Sequence, residues 1–211
     1  MTGSSIAARF ITLEGGEGTG KSTQARRLAA ALEKKGLKTL VTREPGGAPG
    51  AEEIRKLMVE GEPGRWNAIT ETLLAYAARA DHVARTILPA VERGAWVVCD
   101  RFVDSSIAYQ GGADGLGDEA IRALHAIGSE GLLPDRTLLL ALPDTLAAER
   151  GKARDAGNPD RFGARDPAYH ARVAATFARL AAADPARWRV VDAQGSAETV
   201  TGRLLLAIED L

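Results

Sequence analysis

Short apolar runs alternate along the chain with longer segments whose apolar residues recur at helical spacing. This alternation is typical of proteins in which helices cover a mostly parallel sheet. The pattern predicts five strands, at 9–14, 37–42, 95–100, 136–142 and 188–192. It predicts helices at 21–35, 50–60, 68–93, 104–110, 117–130, 144–153, 166–182 and 196–209. The fold class is therefore α/β.

Two segments stand out from this regular pattern. The segment 68–93 is the longest helical one, and Pro89 is expected to bend its last turns because proline cannot donate a backbone hydrogen bond. The segment 151–165 is polar, rich in arginine and broken by glycine and proline. We interpret it as a mobile loop, and as a lid at about 150–165 if the chain binds nucleotides.

Composition limits what the protein can be. The 211 residues, 45% of them hydrophobic, suit a single domain, 1–211, with a full core. Lys and Arg total 27 against 28 for Asp and Glu, so no overall basic field points to a nucleic acid or an anionic membrane. The single cysteine, Cys99, lies in an apolar run and is predicted to be a core residue. With no signal peptide or membrane span in the sequence, these features predict a cytoplasmic location.

A glycine-rich motif directly follows the first predicted strand. It reads Gly15-Gly16-Glu17-Gly18-Thr19-Gly20-Lys21-Ser22-Thr23, which has the spacing of a phosphate-binding P-loop (15–23). Glycines let backbone N–H groups surround phosphate oxygens, and the following helix presents its positive N-terminus. Lys21 would reach the β- and γ-phosphates and the Ser22 hydroxyl would ligate Mg²⁺. The motif therefore predicts binding of a nucleoside triphosphate.

Charged side chains follow the second and third strands, at the edge where open α/β sheets bind ligands. Asp100 is placed to interact with Mg²⁺ or to orient a phosphoryl acceptor, and Arg101 to hold a second phosphate. Arg43, followed by Pro45 and two glycines, would be another anion contact. Each feature alone is also typical of a surface loop, so their value lies in occurring together.

Four segments in order, GGEGTGKST, TREPGG, AARADH (77–82) and DRF with SSIAYQG (105–111), resemble bacterial thymidylate kinases over nearly the whole chain. The resemblance implies a P-loop fold with a five-stranded parallel sheet and transfer of the γ-phosphoryl group of ATP to dTMP. It implies Mg²⁺ as a cofactor and a homodimer.

The resemblance also assigns roles to individual residues. Arg43 and Arg101 would hold the dTMP phosphate, Arg79 would contact the thymine edge, and Tyr109 would pack against the sugar. The remaining acceptor contacts it implies are Pro45, Ser105, Ser106 and Gln110. Asp100 matches the acid beside the transferring phosphate.

Two groups within this family differ in where they place catalytic positive charge. One has an arginine inside the P-loop, and the other has basic residues in the lid. The P-loop here contains no arginine, so the chain is similar to the group with a basic lid. Arg154 is expected to be catalytic, with Arg150 and Arg161 contacting the nucleotide, although the sequence leaves open which lid arginine reaches the γ-phosphate.

Three positions depart from the family pattern. Ala75 stands where a phenylalanine usually stacks on thymine, Gly163 replaces an acid of the lid, and Leu140-Ala141-Leu142-Pro143 replaces a strand end that often carries Asp. We expect Ala75 to weaken base binding, because Tyr76 should face elsewhere on the helix.

Two other functions remain open at this stage. One is another nucleoside monophosphate or deoxynucleoside kinase, which an acceptor screen would separate. The other is a nucleotide-dependent switch, against which the second set of phosphate-holding arginines and the basic lid argue, because a switch needs no acceptor site.

Overall fold

The computed structural model describes residues 7–62, 64–155 and 161–211. Its centre is a sheet of five parallel strands in the order β2-β3-β1-β4-β5. The strands are β1 (Phe10–Glu14), β2 (Thr39–Arg43), β3 (Trp96–Asp100), β4 (Arg136–Ala141) and β5 (Trp188–Asp192). All five predicted strands are confirmed, with ends that differ by at most two residues.

Nine α-helices are present in the described part of the chain. They are α1 (Lys21–Lys34), α2 (Pro49–Val59), α3 (Ala68–His82), α4 (Leu88–Glu92), α5 (Val103–Ser106), α6 (Asp118–Gly128), α7 (Asp144–Asp155), α8 (Pro167–Ala183) and α9 (Ala197–Leu206). Turns of π-helix occupy Val83–Ile87 and Ile107–Ala113.

The long helix predicted at 68–93 is interrupted. It runs as α3, a π-helical turn and α4, and the N–H of Leu88 donates to the carbonyl of Val83, five residues back. Pro89 has no N–H to donate to the carbonyl four residues earlier. This explains why the α-helical hydrogen-bond pattern is interrupted just ahead of it. The interruption ahead of Pro89 is thus observed, and the predicted bend of the last turns stays a prediction.

The core lies on both faces of the sheet. Strands β1 and β3 are buried throughout and mostly apolar, as expected for the central strands of a parallel sheet, with Thr12, Glu14 and Asp100 as their buried polar residues. One face packs against α1 and α9, and the other against α3, α8 and the segment around Phe102. Cys99 is fully buried and burial raises the pKa of its thiol, so its predicted place in the core is confirmed.

The predicted lid is only partly a loop. Helix α7 continues to Asp155, two residues beyond the helix predicted at 144–153, so the loop predicted from residue 151 was wrong over 151–155. The Ala-rich run before them favours helix, and the helix extends over the polar residues that follow. Residues 156–160 lie outside the described part of the structure. No helix among the described residues is long and apolar enough to cross a bilayer.

Candidate functional site

The glycine-rich motif forms the turn between β1 and α1. Residues 15–20 connect Glu14 at the end of the strand to Lys21 at the start of the helix. Gly18 has a φ of +72°, and a Cβ there would collide with the carbonyl of Ala147 in α7. Glycine is therefore required at this position both by the backbone angle and by the close approach of the helix.

Lys21 folds back over the motif. Its Nζ donates to the carbonyl of Gly16 at 2.6 Å and lies 3.4 Å from Oγ1 of Thr19. The side chain is 6% exposed, and burial lowers its pKa to about 8, with the neighbouring Arg101 acting in the same direction. Burial removes the water that would otherwise stabilise the charged ammonium, and the hydrogen-bond partners of Lys21 are neutral. A bound anion would therefore stabilise the charged form strongly.

Ser22 and Asp100 meet at the edge of the sheet. The Ser22 hydroxyl donates to Oδ2 of Asp100, which brings the first turn of α1 against the end of β3. The other carboxylate oxygen, Oδ1, is buried without a hydrogen-bond partner among the described residues. An orphaned carboxylate oxygen beside a hydroxyl is a donor set of the kind that a hard cation such as Mg²⁺ prefers.

Arg101 is held in a left-handed backbone conformation, with a φ of +72°. Its guanidinium donates to the carbonyl of Gly15 at 3.1 Å, to Oγ of Ser105 at 3.2 Å and to Glu17 at 2.5 Å. It also lies over the ring of Tyr109, 5.0 Å from the centroid. Left-handed conformations of large residues are uncommon and often occur at functional sites.

The buried carboxyl of Glu14 supports this turn, and the sequence analysis did not single it out. It accepts the N–H of Phe102 at 2.7 Å and contacts Oγ of Ser105 at 2.6 Å. Burial, with the nearby charge of Asp104, raises its pKa to about 8. Glu14 therefore ties the residues on either side of the turn to the end of β1.

Arg79 lies in a buried polar network. Its Nε donates to Glu44 at 2.7 Å and its NH2 to Oγ of Ser106 at 3.0 Å. His82 lies 3.0 Å from Glu44 and 2.7 Å from Thr42, so the position of Glu44 is set from two sides. The NH1 group of Arg79 is buried with no partner among the described residues. The network thus orients a guanidinium that keeps one donor unused.

Arg43 and Pro45 lie at the outer end of β2. The side chain of Arg43 is about half exposed and pairs with Glu52 at 3.0 Å. The carbonyl of Pro45 accepts a hydrogen bond from Arg55 at 2.6 Å. Because the Arg43 pair is exposed, it contributes little stability and is easily exchanged for a ligand.

The π-helical turn at 107–113 supplies Tyr109 and Gln110. The Tyr109 hydroxyl donates to Glu17 at 3.4 Å, and burial raises the pKa of this phenol. The Gln110 amide donates to Glu71 at 3.0 Å. The ring of Phe162 meets that of Tyr109 edge to face, with centroids 6.0 Å apart. An aromatic and amide wall is thus built from two separate parts of the chain.

These groups border one cavity of about 800 Å³. It is lined by sixteen of the residues predicted from the sequence: Glu17, Gly18, Gly20, Lys21, Ser22, Thr23, Arg43, Pro45, Arg79, Asp100, Arg101, Ser105, Ser106, Tyr109, Gln110 and Arg150. The cavity is large enough for drug-sized ligands. The structure therefore brings together the P-loop and the arginines Arg43 and Arg101, and Glu17 of the P-loop is 84 positions from Arg101.

Some predicted residues lie elsewhere. Gly15, Gly16 and Thr19 border a second, mostly apolar cavity behind the P-loop, of about 870 Å³. The Arg161 guanidinium is buried and bonded to Glu71 and to backbone carbonyls, so in this conformation it does not line the cavity around the P-loop. The side chain of Arg154 lies outside the described part of the structure.

Several residues of this cavity were not predicted from the sequence. Arg26, Glu44, Arg55 and Phe162 all line it. Arg26 and Arg55 occur on amphipathic helices, where a charged side chain ordinarily marks a solvated face. Phe162 follows Arg161 in the polar lid. An aromatic residue in such a polar segment was a sequence signal for contact with a ligand.

Ala75 lines the cavity, and its aromatic neighbour on the same helix, Tyr76, does not. The Tyr76 hydroxyl donates to the carbonyl of Ile121 in the core, at 3.0 Å, so the expectation that Tyr76 faces elsewhere is confirmed. Phe102 lines the cavity but is fully buried, packed against Phe10 with ring centroids 4.9 Å apart.

Comparison with known proteins agrees with this geometry. The family model for thymidylate kinase matches residues 13–203. The thymidylate kinase of Rhizorhabdus wittichii is 66% identical over 98% of this chain and 99% of its own length. That of Gluconobacter oxydans is 52% identical over 95% of this chain and 94% of its own.

A solved structure supports the same conclusion. The crystal structure of thymidylate kinase from Ehrlichia chaffeensis superposes with a TM-score of 0.78 at 27% identity. The match covers 95% of this chain and 98% of that one. The fold is therefore shared over nearly the whole of both chains, and this chain belongs to the thymidylate kinase family.

Proposed function

We propose that this protein transfers the γ-phosphoryl group of ATP to the phosphate of dTMP, giving dTDP and ADP, in the synthesis of dTTP. One observation carries the proposal. A single cavity is bordered by a P-loop, by the arginines Arg43 and Arg101, and by a polar pocket around Arg79. A triphosphate donor and a monophosphate acceptor bound there would meet beside Lys21 and Asp100.

The P-loop would hold ATP. Its backbone N–H groups and the N-terminus of α1 form an anion site, and Lys21 would leave the carbonyl of Gly16 to contact the β- and γ-phosphates. Because burial already penalises the Lys21 charge, contact with phosphate oxygens stabilises the charged form. Lys21 is therefore a binding group for both the ground state and the transferring phosphoryl group.

Mg²⁺ would be held by Ser22 and Asp100. The hydroxyl and the unpartnered Oδ1 of Asp100 suit this ion, which takes oxygen ligands and keeps several of its waters. When bound, the ion neutralises charge on the β- and γ-phosphate oxygens. Asp100 would also help to orient the incoming phosphate of dTMP.

The acceptor phosphate would be held by Arg101 and Arg43. Both arginines pair with carboxylates, Arg101 with Glu17 and Arg43 with Glu52, and both line the cavity. A phosphate dianion is a stronger partner than a carboxylate for a planar guanidinium, which can donate two parallel hydrogen bonds. Catalysis here depends on alignment and charge neutralisation, because phosphoryl transfer asks little covalent chemistry of the protein.

The nucleoside would lie between Arg79 and Tyr109. The unused NH1 donor of Arg79 suits a carbonyl oxygen of thymine, and Ser106 is held beside it. The Tyr109 ring, backed by Phe162, would pack against the sugar, where it would disfavour a 2′-hydroxyl. Arg150 lines the same cavity from the lid side and is our candidate for the catalytic cation, with Arg154 as the alternative.

A coupled ADP-release assay across a panel of monophosphates tests the proposal. We expect dTMP to be used best, dUMP less well, and AMP, CMP and ribo-TMP hardly at all. Loss of the thymine methyl should cost only ~1–3 kcal/mol, since an apolar contact discriminates one methyl modestly. A preference for AMP or CMP would assign the chain to another kinase reaction, and ATP turnover that ignores added dTMP would favour a nucleotide switch.

We also propose that the protein forms a homodimer through an apolar face on α2, α3 and α6. Leu57, Ile69, Leu73 and Ile127 are 42–82% exposed, on helices that pack side by side. Exposed apolar patches of this kind mark interaction surfaces. Light scattering should give a dimer for the wild type and a monomer for Leu73→Asp, with Leu206→Asp on α9 as the control. A dimeric Leu73→Asp variant would contradict this interface. The predicted cytoplasmic location stays a prediction.

A further inference from the structure

We infer that Glu71 is a positioning residue that couples two parts of the molecule. One is the acceptor wall, defined as Tyr109 and Gln110, and the other is the lid base, defined as residues 161–165. The inference rests on the proposed function, because it takes Gln110 to face the bound dTMP. According to this inference, the position of the lid base depends on the position of the groups that bind dTMP.

Glu71 is a fully buried acid in the first turn of α3. Its position near the N-terminus of a helix favours a negative charge. A buried carboxylate is nevertheless costly unless it is paired and hydrogen-bonded. The groups that satisfy Glu71 therefore lose much of their freedom to move away from it.

Those groups come from two separate parts of the chain. Oε1 of Glu71 accepts the amide N–H of Gln110 at 3.0 Å. Oε2 accepts NH2 of Arg161 at 3.1 Å and NH2 of Arg165 at 2.9 Å. One carboxylate thus joins the acceptor wall, through Gln110, to two arginines of the lid base.

Further contacts make the lid base depend on the same arrangement. Arg161 also donates to the carbonyl of Met58 at 2.5 Å and of Glu62 at 3.2 Å, which fixes it against the end of α2. Arg165 donates to Asp114 at 2.6 Å, directly after the π-helical turn that carries Gln110. The lid base is therefore joined to the segment that carries Gln110 through Glu71, through Asp114 and through the edge-to-face contact of Phe162 with Tyr109.

The lid base is also close to the nucleotide side. Phe162 lines the main cavity together with Glu17 and Lys21 of the P-loop. Gly163 and Arg165 border the second cavity, whose other wall includes Gly15 and Gly16. A ligand that orders the acceptor wall would therefore order the lid base beside the P-loop, and ATP binding would act back on the acceptor wall.

Such coupling is measurable because it is reciprocal. If dTMP strengthens binding of an ATP analogue by some factor, the analogue strengthens binding of dTMP by the same factor. Substitution of a residue that only stabilises the fold lowers the melting temperature and leaves this factor unchanged. The factor therefore distinguishes a coupling role for Glu71 from a purely structural one.

The experiment is calorimetric titration of a non-hydrolysable ATP analogue with Mg²⁺, without and with saturating dTMP. We expect the wild type to show coupling of about 5- to 150-fold, the usual range. Glu71→Gln keeps the shape and the acceptor for Gln110 but removes the charge that holds both arginines, so the factor should fall toward one. Asp118→Asn, which removes an exposed pair with Arg179, is the matched control and should leave the factor unchanged.

Arg165→Gln is the second variant, because its partly exposed side chain leaves Arg161 to balance Glu71 if Glu71→Gln fails to fold. It should lower the factor in the same direction. A wild-type factor of one, or full coupling in either folded variant, would overturn the inference. Titration of dTMP into the wild type is a separate measurement, and its failure to bind would reject the proposed function instead.

Discussion

The substitution Ala75→Phe tests how the base is bound. Ala75 is 8% exposed and lines the cavity near Arg79, whereas Tyr76 faces the core. Stacking of a base on an aromatic side chain is worth ~1–3 kcal/mol. Since 1.4 kcal/mol corresponds to a factor of ten, the KM for dTMP should fall by about 5- to 150-fold.

The expected effect is on KM alone. A stacked ring interacts alike with the ground state and the transition state, so kcat should change little. The assay is steady-state kinetics with dTMP varied at saturating ATP. Ala30→Phe, an exposed alanine on α1 away from the cavity, is the control and should leave both constants unchanged.

A raised KM in a well-folded Ala75→Phe variant would refute the reasoning. The structure offers an explanation for such a rise in KM, because Phe162 already lines the same cavity. If its ring occupies the space over the base, a second phenylalanine would overpack the site at a cost of ~1–3 kcal/mol. The double variant Ala75→Phe with Phe162→Ala would then recover the low KM.

Three more predictions follow from the site. Lys21→Ala should nearly abolish transfer without lowering the melting temperature, since the ammonium is already desolvated; near-normal transfer would move the active site elsewhere. Arg150→Ala should lower kcat by ~10³-fold or more, with a smaller effect on the KM for dTMP; if it does not, the same assay on Arg154→Ala decides between them. The pKa of Glu14 is about 8 in the folded protein and 4.5 in the unfolded chain, so the folded protein binds more protons between these pH values. The free energy of unfolding should therefore decline as pH rises through this range. Chemical denaturation of Glu14→Gln should show a smaller decline.

Much of the candidate site was predictable because its groups occur in contiguous motifs. The P-loop and the Asp100-Arg101 pair each follow a strand, and parallel strands bring their carboxyl ends to one edge of the sheet. The short apolar runs of β1, β3 and β4 indicated strands covered by helices, because a sheet packed on both faces has largely apolar strands. These features are local, and sequence alone determined them together with the family.

Only the tertiary structure decided which charged side chains meet. Arg161 was predicted to contact the nucleotide, but packing directs it to Glu71, a residue 90 positions away that no local pattern singles out. Glu14 and Glu44 likewise resemble ordinary strand and loop acids until burial pairs them with the Phe102 backbone and with Arg79. Long-range pairing depends on which helices pack together. For that reason the sequence determined the class of chemistry, whereas the fold determined the contacts that align it.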